Sequence, residues 1–182
     1  SDANNFTSTS TVIISSPPAI NISGSVNSVS CNGGSNGGID ITINGALGPF
    51  SYTWSNGSTL QDLVSIPAGV YTVTVQDQNF CTSTKIFPVL EPSAIQANSS
   101  VHHIDCFGDS TGSVTVNPGG GKPPYTFNWS NNSTLQNQFN LPASNYFLTI
   151  TDKNGCESTN FFTLLQGAPI VLADTIVDIV CS

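Results

Sequence analysis

Three sets of side chains in this sequence are of types that do chemistry. They are the five cysteines Cys31, Cys81, Cys106, Cys156 and Cys181, the histidine pair His102-His103, and the oxygen-rich turns Asp77-Gln78-Asn79 and Asp152-Lys153-Asn154-Gly155. Thiols close disulfides or hold soft metals, paired imidazoles bind zinc or relay protons, and clustered Asp and Asn oxygens take calcium. Spacing decides among these uses. Cys31 and Cys106, Cys81 and Cys156, and Cys106 and Cys181 each stand 75 residues apart. Without gaps, the same offset carries Trp54 onto Trp129, Pro49 onto Pro124, Ser58-Thr59-Leu60-Gln61 onto Ser133-Thr134-Leu135-Gln136, and Tyr71, Asp77 and Asn79 onto Tyr146, Asp152 and Asn154. A fixed period of this kind marks internal repeats.

The repeat weighs against catalysis. The positions matching His102 and His103 are Asn27 and Ser28, so the pair reads as a solvated strand edge, and no Ser-His-acid set can be assembled in the first repeat. Neither Asp turn carries a second carboxylate. An Asx turn, in which the side chain accepts bonds from backbone two residues on, is the plainer reading than a calcium site. Lys85, Lys122 and Lys153 correspond to Asn160, Leu47 and Gln78, which removes a repeated Lys-Asn isopeptide staple. We therefore expect no catalytic residue, cofactor or metal.

Composition narrows the partners. Three lysines, no arginine and a net charge of −8 cannot neutralise a run of phosphates or dock on an anionic bilayer, so no nucleic acid and no membrane insertion are expected. With 38% apolar and 8% charged residues, the chain has enough to bury and should fold. No run approaches the roughly 18 apolar residues of a membrane span, and the first residues lack the basic-then-apolar pattern of a secretory signal. The chain reads as a soluble piece of something larger.

The elements that must position these residues follow a period of two, the strand signal. Ile39, Ile41 and Ile43 alternate with Asp40, Thr42 and Asn44, as do Phe50, Tyr52 and Trp54 with Ser51, Thr53 and Ser55, and Tyr71, Val73 and Val75 with Thr72, Thr74 and Gln76. Positions of inward parity stay apolar between copies, as in Tyr52 to Phe127 and Val73 to Leu148, while outward ones drift. Thr72 to Phe147 and Ile43 to Pro118 break the rule and are expected at a sandwich rim or strand end. The first repeat predicts strands at 20–29, 38–44, 49–55, 60–66, 70–76 and 83–90, with a further short one possible at 57–59.

The pattern is all-β and resembles tandem immunoglobulin-like β-sandwich domains of about seven strands each. Ile66-Pro67-Ala68-Gly69-Val70-Tyr71 and Leu141-Pro142-Ala143-Ser144-Asn145-Tyr146 resemble the corner at which a Tyr hydroxyl bonds back to upstream backbone. Inward parity makes Trp54, Tyr71, Trp129 and Tyr146 core residues rather than sugar-stacking ones. The expected organisation is a preceding repeat's tail or an added leader at 1–19, sandwiches at 20–94 and 95–169, and the start of a third repeat at 170–182. Phe6 stands where the leader's cysteine would be.

A 75-residue sandwich buries only about 60% of its unfolded surface, so a crosslink is a physical expectation. Bridges Cys31–Cys81 and Cys106–Cys156 would each close a loop of about 50 residues, contributing roughly 4 kcal/mol. Cys81–Cys106 is the rival pairing. Persistent disulfides imply an oxidising compartment.

The motifs together resemble a family. Cys31-Asn32-Gly33 with Gly37, then Pro49 to Trp54-Ser55-Asn56, then Ile66-Pro67-Ala68-Gly69-Val70-Tyr71 and Asp77-Gln78-Asn79-Phe80-Cys81, with a second copy from Cys106 to Cys156, is similar to the SprB-type repeat of Bacteroidota gliding-motility adhesins. The resemblance implies a large filament on the outer surface, exported by type IX secretion. It also implies structural stalk repeats that serve attachment and gliding. Contact with an extracellular surface or polysaccharide would then be made through the parent protein, with neighbouring repeats in tandem. The alternative is a glycan-binding module whose own repeat surface grips polysaccharide.

Overall fold

The computed structural model describes residue 10 and residues 18–172. The expected leader, apart from Ser10, Pro18 and Ala19, and the restart beyond Leu172, including Cys181, lie outside the described residues. Among the described residues, twelve strands form four three-stranded antiparallel sheets. The described chain divides into two compact units. One runs to Ser28 and resumes over Ser35–Leu90; the other joins Val29–Gly34 to the residues from Glu91 onward. The split thus departs from the expected 20–94 and 95–169 division at the hexapeptide Val29–Gly34 and at residues 91–94.

In the first unit, β1 (Asn21–Asn27), β2 (Gly37–Asn44) and β4 (Leu63–Ile66) make one sheet in the order β1-β2-β4. β3 (Ser51–Trp54), β5 (Gly69–Gln76) and β6 (Thr82–Val89) make the other, in the order β3-β5-β6. Residues at 57–59 form no strand, so the described residues of the unit form six. Strand β2 contributes Ile39 and Ile41 to the interior, and β5 contributes Tyr71, Val73 and Val75, which is the inward parity of both strands. Trp54 is 2% exposed and lies 6.1 Å from the Phe87 ring. Lys85 is spent internally: its Nζ donates to the carbonyl of Ile22 at 2.8 Å and sits over the Phe87 ring.

The second unit repeats the plan. One sheet, in the order β10-β8-β7, comprises β7 (Ser99–His102), β8 (Gly112–Val116) and β10 (Gln138–Leu141). The other, in the order β12-β11-β9, comprises β9 (Thr126–Trp129), β11 (Ser144–Thr151) and β12 (Glu157–Leu164). Its core gathers Ile104, Val114, Trp129, Tyr146, Leu148 and Ile150 with Phe162 and Leu164. Strand β8 is shorter than β2 because Pro118 stands where β2 has Ile43, and proline supplies no ladder donor. Phe147, expected at a rim, instead sits mid-strand in β11 with its ring on the outer face, paired in register with Phe161.

The repeated motif Trp-Ser-Asn-x-Ser-Thr-Leu-Gln acts as a clip across the open end of each sandwich. Trp54 Nε1 donates to Leu60 O at 2.8 Å, and Trp129 Nε1 donates to Leu135 O at 2.8 Å. The next residues then serve the backbone of the other sheet. Gln61 Nε2 donates to Ile41 O and Asp62 Oδ1 accepts from Ile41 N–H, both at 2.8 Å. Gln136 and Asn137 treat Val116 in the same way, at 2.7 and 3.0 Å. Buried backbone groups that the short β4 and β10 leave unpaired are thereby satisfied. The corners behave alike in both units: Tyr71 and Tyr146 donate to Pro67 O and Pro142 O at 3.0 Å. Replacing Gly69 by Ser144 costs no backbone strain, since neither residue has positive φ.

Candidate functional site

The turn that ends β11 shows what the Asp-x-Asn-x-Cys motif does. Asp152 Oδ1 accepts from the N–H of Asn154 at 2.8 Å and of Cys156 at 2.9 Å, while Oδ2 accepts from Lys122 N–H at 2.8 Å. Burial alone would raise the pKa of Asp152, but the amides of Cys156, Lys122, Asn154 and Gly155 favour the carboxylate and hold it below its ordinary value. In the first unit, Asp77 Oδ1 accepts from Asn79 and Cys81 N–H at 2.8 and 2.9 Å. Both carboxylates are thus committed to backbone amides. Their function here is to hold a cysteine at the start of the next strand.

That cysteine is the centre of the one covalent crosslink among the described residues. Cys156 is bonded to Cys31, with Cα atoms 5.5 Å apart and a sequence separation of 125. This corrects the expected pairing: Cys31 is not joined to Cys81, nor Cys106 to Cys156, and Cys81 and Cys106 are exposed thiols. The physical reason is the placement of Val29–Gly34 in the second unit. Asn154 Nδ2 donates to Ser30 O at 2.9 Å and Asn32 Nδ2 donates to Pro92 O at 3.1 Å, while Gly33 N–H donates to Glu91 Oε2 at 2.6 Å. These bonds seat the Cys31 loop beside the Asp152 turn. A cleft of about 420 Å³ opens there, between Cys31 and Pro92–Ile95 on one side and Gly155–Ser158 on the other.

The first-cysteine loop of the second repeat has the same local form. Gly108 N–H donates to Gln166 Oε1 at 2.9 Å, one period on from Gly33 and Glu91. Gly33 and Gly108 both hold positive φ, the conformation only glycine adopts freely. A second cleft, of about 430 Å³, lies between this loop and Gly167–Ile170.

The remaining candidates do not converge. His102 and Asp105 are exposed and 4.0 Å apart, while His103 Nδ1 accepts from Leu165 N–H at 3.2 Å. Among the described residues no three His, Cys, Asp or Glu side chains group closely enough to hold a metal. Trp54, Tyr71, Trp129 and Tyr146 are buried in the two interiors. One feature escaped the sequence reading. Phe147 and Phe161, 52% and 56% exposed, form an aromatic pair on the outer face of the second unit, with centroids 5.0 Å apart and planes at 53°. The signal for it was the Thr72-to-Phe147 and Ile86-to-Phe161 changes at positions one period apart.

Comparison with solved structures finds loose likenesses to tandem immunoglobulin-domain proteins. DIP-gamma IG1+IG2 is 10% identical, with a TM-score of 0.41, over 81% of this chain and 97% of that one. The eight N-terminal Ig domains of Down Syndrome Cell Adhesion Molecule are 10% identical, with a TM-score of 0.38, over 83% of this chain, which spans 25% of that one. The S-layer protein rSbsC(31-844) is 16% identical, with a TM-score of 0.33, over 84% of this chain and 28% of that one. Among curated proteins none matches. The sequence-family match is of another kind, because it falls on the duplicated motifs themselves, from β1 through the Trp-Ser-Asn turn in each copy. This chain carries two SprB repeats, at residues 23–59 and 98–134.

Proposed function

We propose that this chain is a stretch of the stalk of a large secreted adhesin, which displays an attachment region away from the cell during surface attachment and gliding. SprB repeats are typical of cell-surface adhesins, and a disulfide fits an extracellular location. The observation that carries the reading is the nature of what the two copies share. The Trp-to-carbonyl, Gln-to-strand, Tyr-corner and Asp-turn bonds recur one period apart, and every one of them holds the sandwich together. Many outward-facing strand positions drift, as Asp40 to Thr115 and Thr72 to Phe147 do. A repeat that keeps its framework and varies its surface is built to extend, not to react. Three lysines also leave few tryptic cleavage points for a protein exposed outside the cell. On this reading polysaccharide or another surface is met by the parent protein elsewhere. The test is a glycan array probed with this segment, beside attachment of cells whose adhesin lacks it. The stalk reading expects no saturable binding by the segment and reduced attachment after deletion; saturable binding would refute it.

A second reading has one observation in its favour. The Phe147–Phe161 pair lies on a face whose other outward side chains include Asn128, Thr149 and Glu157, and sugars bind against aromatic surfaces rimmed by hydrogen-bonding groups. Saturable glycan binding abolished by the Phe147→Ala/Phe161→Ala double variant would establish it.

A further inference from the structure

The crosslink joins unlike cysteines: Cys31 is the first of its repeat, and Cys156 is the second of the following one. Their separation of 125 is the 50-residue spacing from Cys106 to Cys156 plus one 75-residue period. Moved forward one period, the pair becomes Cys106 with a cysteine beyond this sequence. Moved back one period, it becomes Cys81 with a cysteine before it. The two exposed thiols are therefore the two halves that this register leaves over.

The surroundings of Cys106 repeat the rule without the partner. Advanced by one period, Cys31, Asn32, Pro92, Ser93, Ala94 and Ile95 of the first cleft become Cys106, Phe107, Gly167, Ala168, Pro169 and Ile170, which account for all but one lining residue of the second. Among the described residues, the second cleft has no counterpart of the other wall, where Gly155–Ser158 and Gly121 stand in the first. The apolar surface agrees. Ile95 is 8% exposed within the core of the second unit, whereas Ile170, its counterpart, is 92% exposed.

We propose that the face made by Asp105–Phe107 and Gly167–Ile170 receives the second-cysteine turn of a following repeat, and that Cys106 bonds to that turn's cysteine. Cys81, held at the end of its own Asp turn, takes the first cysteine of a preceding repeat. Each repeat would then lend its first-cysteine loop to the next unit, and the disulfides would stitch the array from repeat to repeat instead of closing each sandwich on itself. Each bond forms by loss of one proton from each thiol and two electrons in all. Both pass to the disulfide of an oxidant of the glutathione disulfide or dithiol-oxidoreductase class, which leaves as two thiols. The inference does not need the stalk reading, since mapping can fail while the segment still binds no glycan, and the reverse.

The test continues residues 1–182 in register with a copy of residues 108–169, so that a third repeat follows the second. After oxidation in glutathione buffer, alkylation and peptic digestion, the expected bonds are Cys31–Cys156 and Cys106 with the copy of Cys156, with Cys81 and Cys181 alkylated. Cys106→Ser should leave the copied cysteine alkylated and Cys31–Cys156 intact. A Cys106–Cys156 bond, a bond from Cys181 to the copied cysteine, or an alkylated Cys106 in the oxidised chain would overturn the proposal. So would a third repeat that adds no strand signal by circular dichroism, because residues 170–182 and the copy together make one full 75-residue period. In the chain as it stands, a Cys81–Cys106 product would overturn it as well.

Discussion

Replacing both bonded cysteines, as Cys31→Ala/Cys156→Ala, should destabilise the second unit by an amount that loop closure sets. If the whole span between them is released on unfolding, the closed loop has 125 residues, and the chain-entropy relation gives about 4.9 kcal/mol. If Ser35–Leu90 stays folded while the second unit opens, only about 70 residues gain freedom and the figure falls to roughly 4.4 kcal/mol. The logarithm makes the two limits nearly equal, so the prediction does not depend on which unit melts first. Urea unfolding followed by Trp129 fluorescence, in a Trp54→Phe background shared by variant and parent, reads the second unit alone. At a slope of about 2 kcal/mol per molar, the midpoint should fall by roughly 2 M. Removing both cysteines avoids a new free thiol that could pair with Cys81 or Cys106. A loss under about 1 kcal/mol by this assay, scaled from the same relation, would refute the loop-closure reasoning. An equal loss in a Trp129→Phe background, reporting on the first unit, would refute the assignment of the Cys31 loop to the second.

Gln136→Ala should cost about 1–2 kcal/mol by denaturant unfolding, because Val116 O would lose its 2.7 Å donor while remaining inside the sheet; a neutral result would mean that water replaces the side chain. Gly112→Ala should destabilise by about 1–3 kcal/mol, since a Cβ there would lie 2.5 Å from Leu164 Cδ2 and 2.9 Å from Leu141 O, the latter being backbone that cannot step aside. For Asp152 the folded-state pKa is depressed. Its contribution to stability is therefore present above the ordinary carboxylate range and is lost as pH falls through the depressed value. Acid unfolding of the second unit should flatten in Asp152→Asn, and an unchanged pH profile would remove the carboxylate from the account.

Much of the fold was legible because it is local or periodic. Side chains alternate across a strand by covalent geometry, so inward parity placed Trp54, Val73 and Leu148 without any coordinates. The 75-residue offset compared each position with its own copy, and the motif Pro-Ala-x-x-Tyr pointed to a corner whose hydroxyl bond spans only four residues. The clip made by Gln61 was visible as part of a repeated string, but its purpose was not, because its partner Ile41 lies 20 residues away in another sheet. Phe147 was misplaced for a related reason. Its exposure depends on what faces it across the strand pair, and that is Phe161, a neighbour found only in the register of β11 with β12.

Sequence alone thus determined the period, the all-β class and the alternation that fills the interior, since each rests on residue type and spacing along the chain. Which cysteine meets which was decided only by tertiary structure. A disulfide needs Cα atoms within about 7 Å and suitably directed side chains, and spacing in a repeat is equally compatible with a bond inside one copy or across two. The contacts of six residues, Val29–Gly34, with the Asp152 turn and the Glu91 linker settle that choice, and no count along the chain contains them.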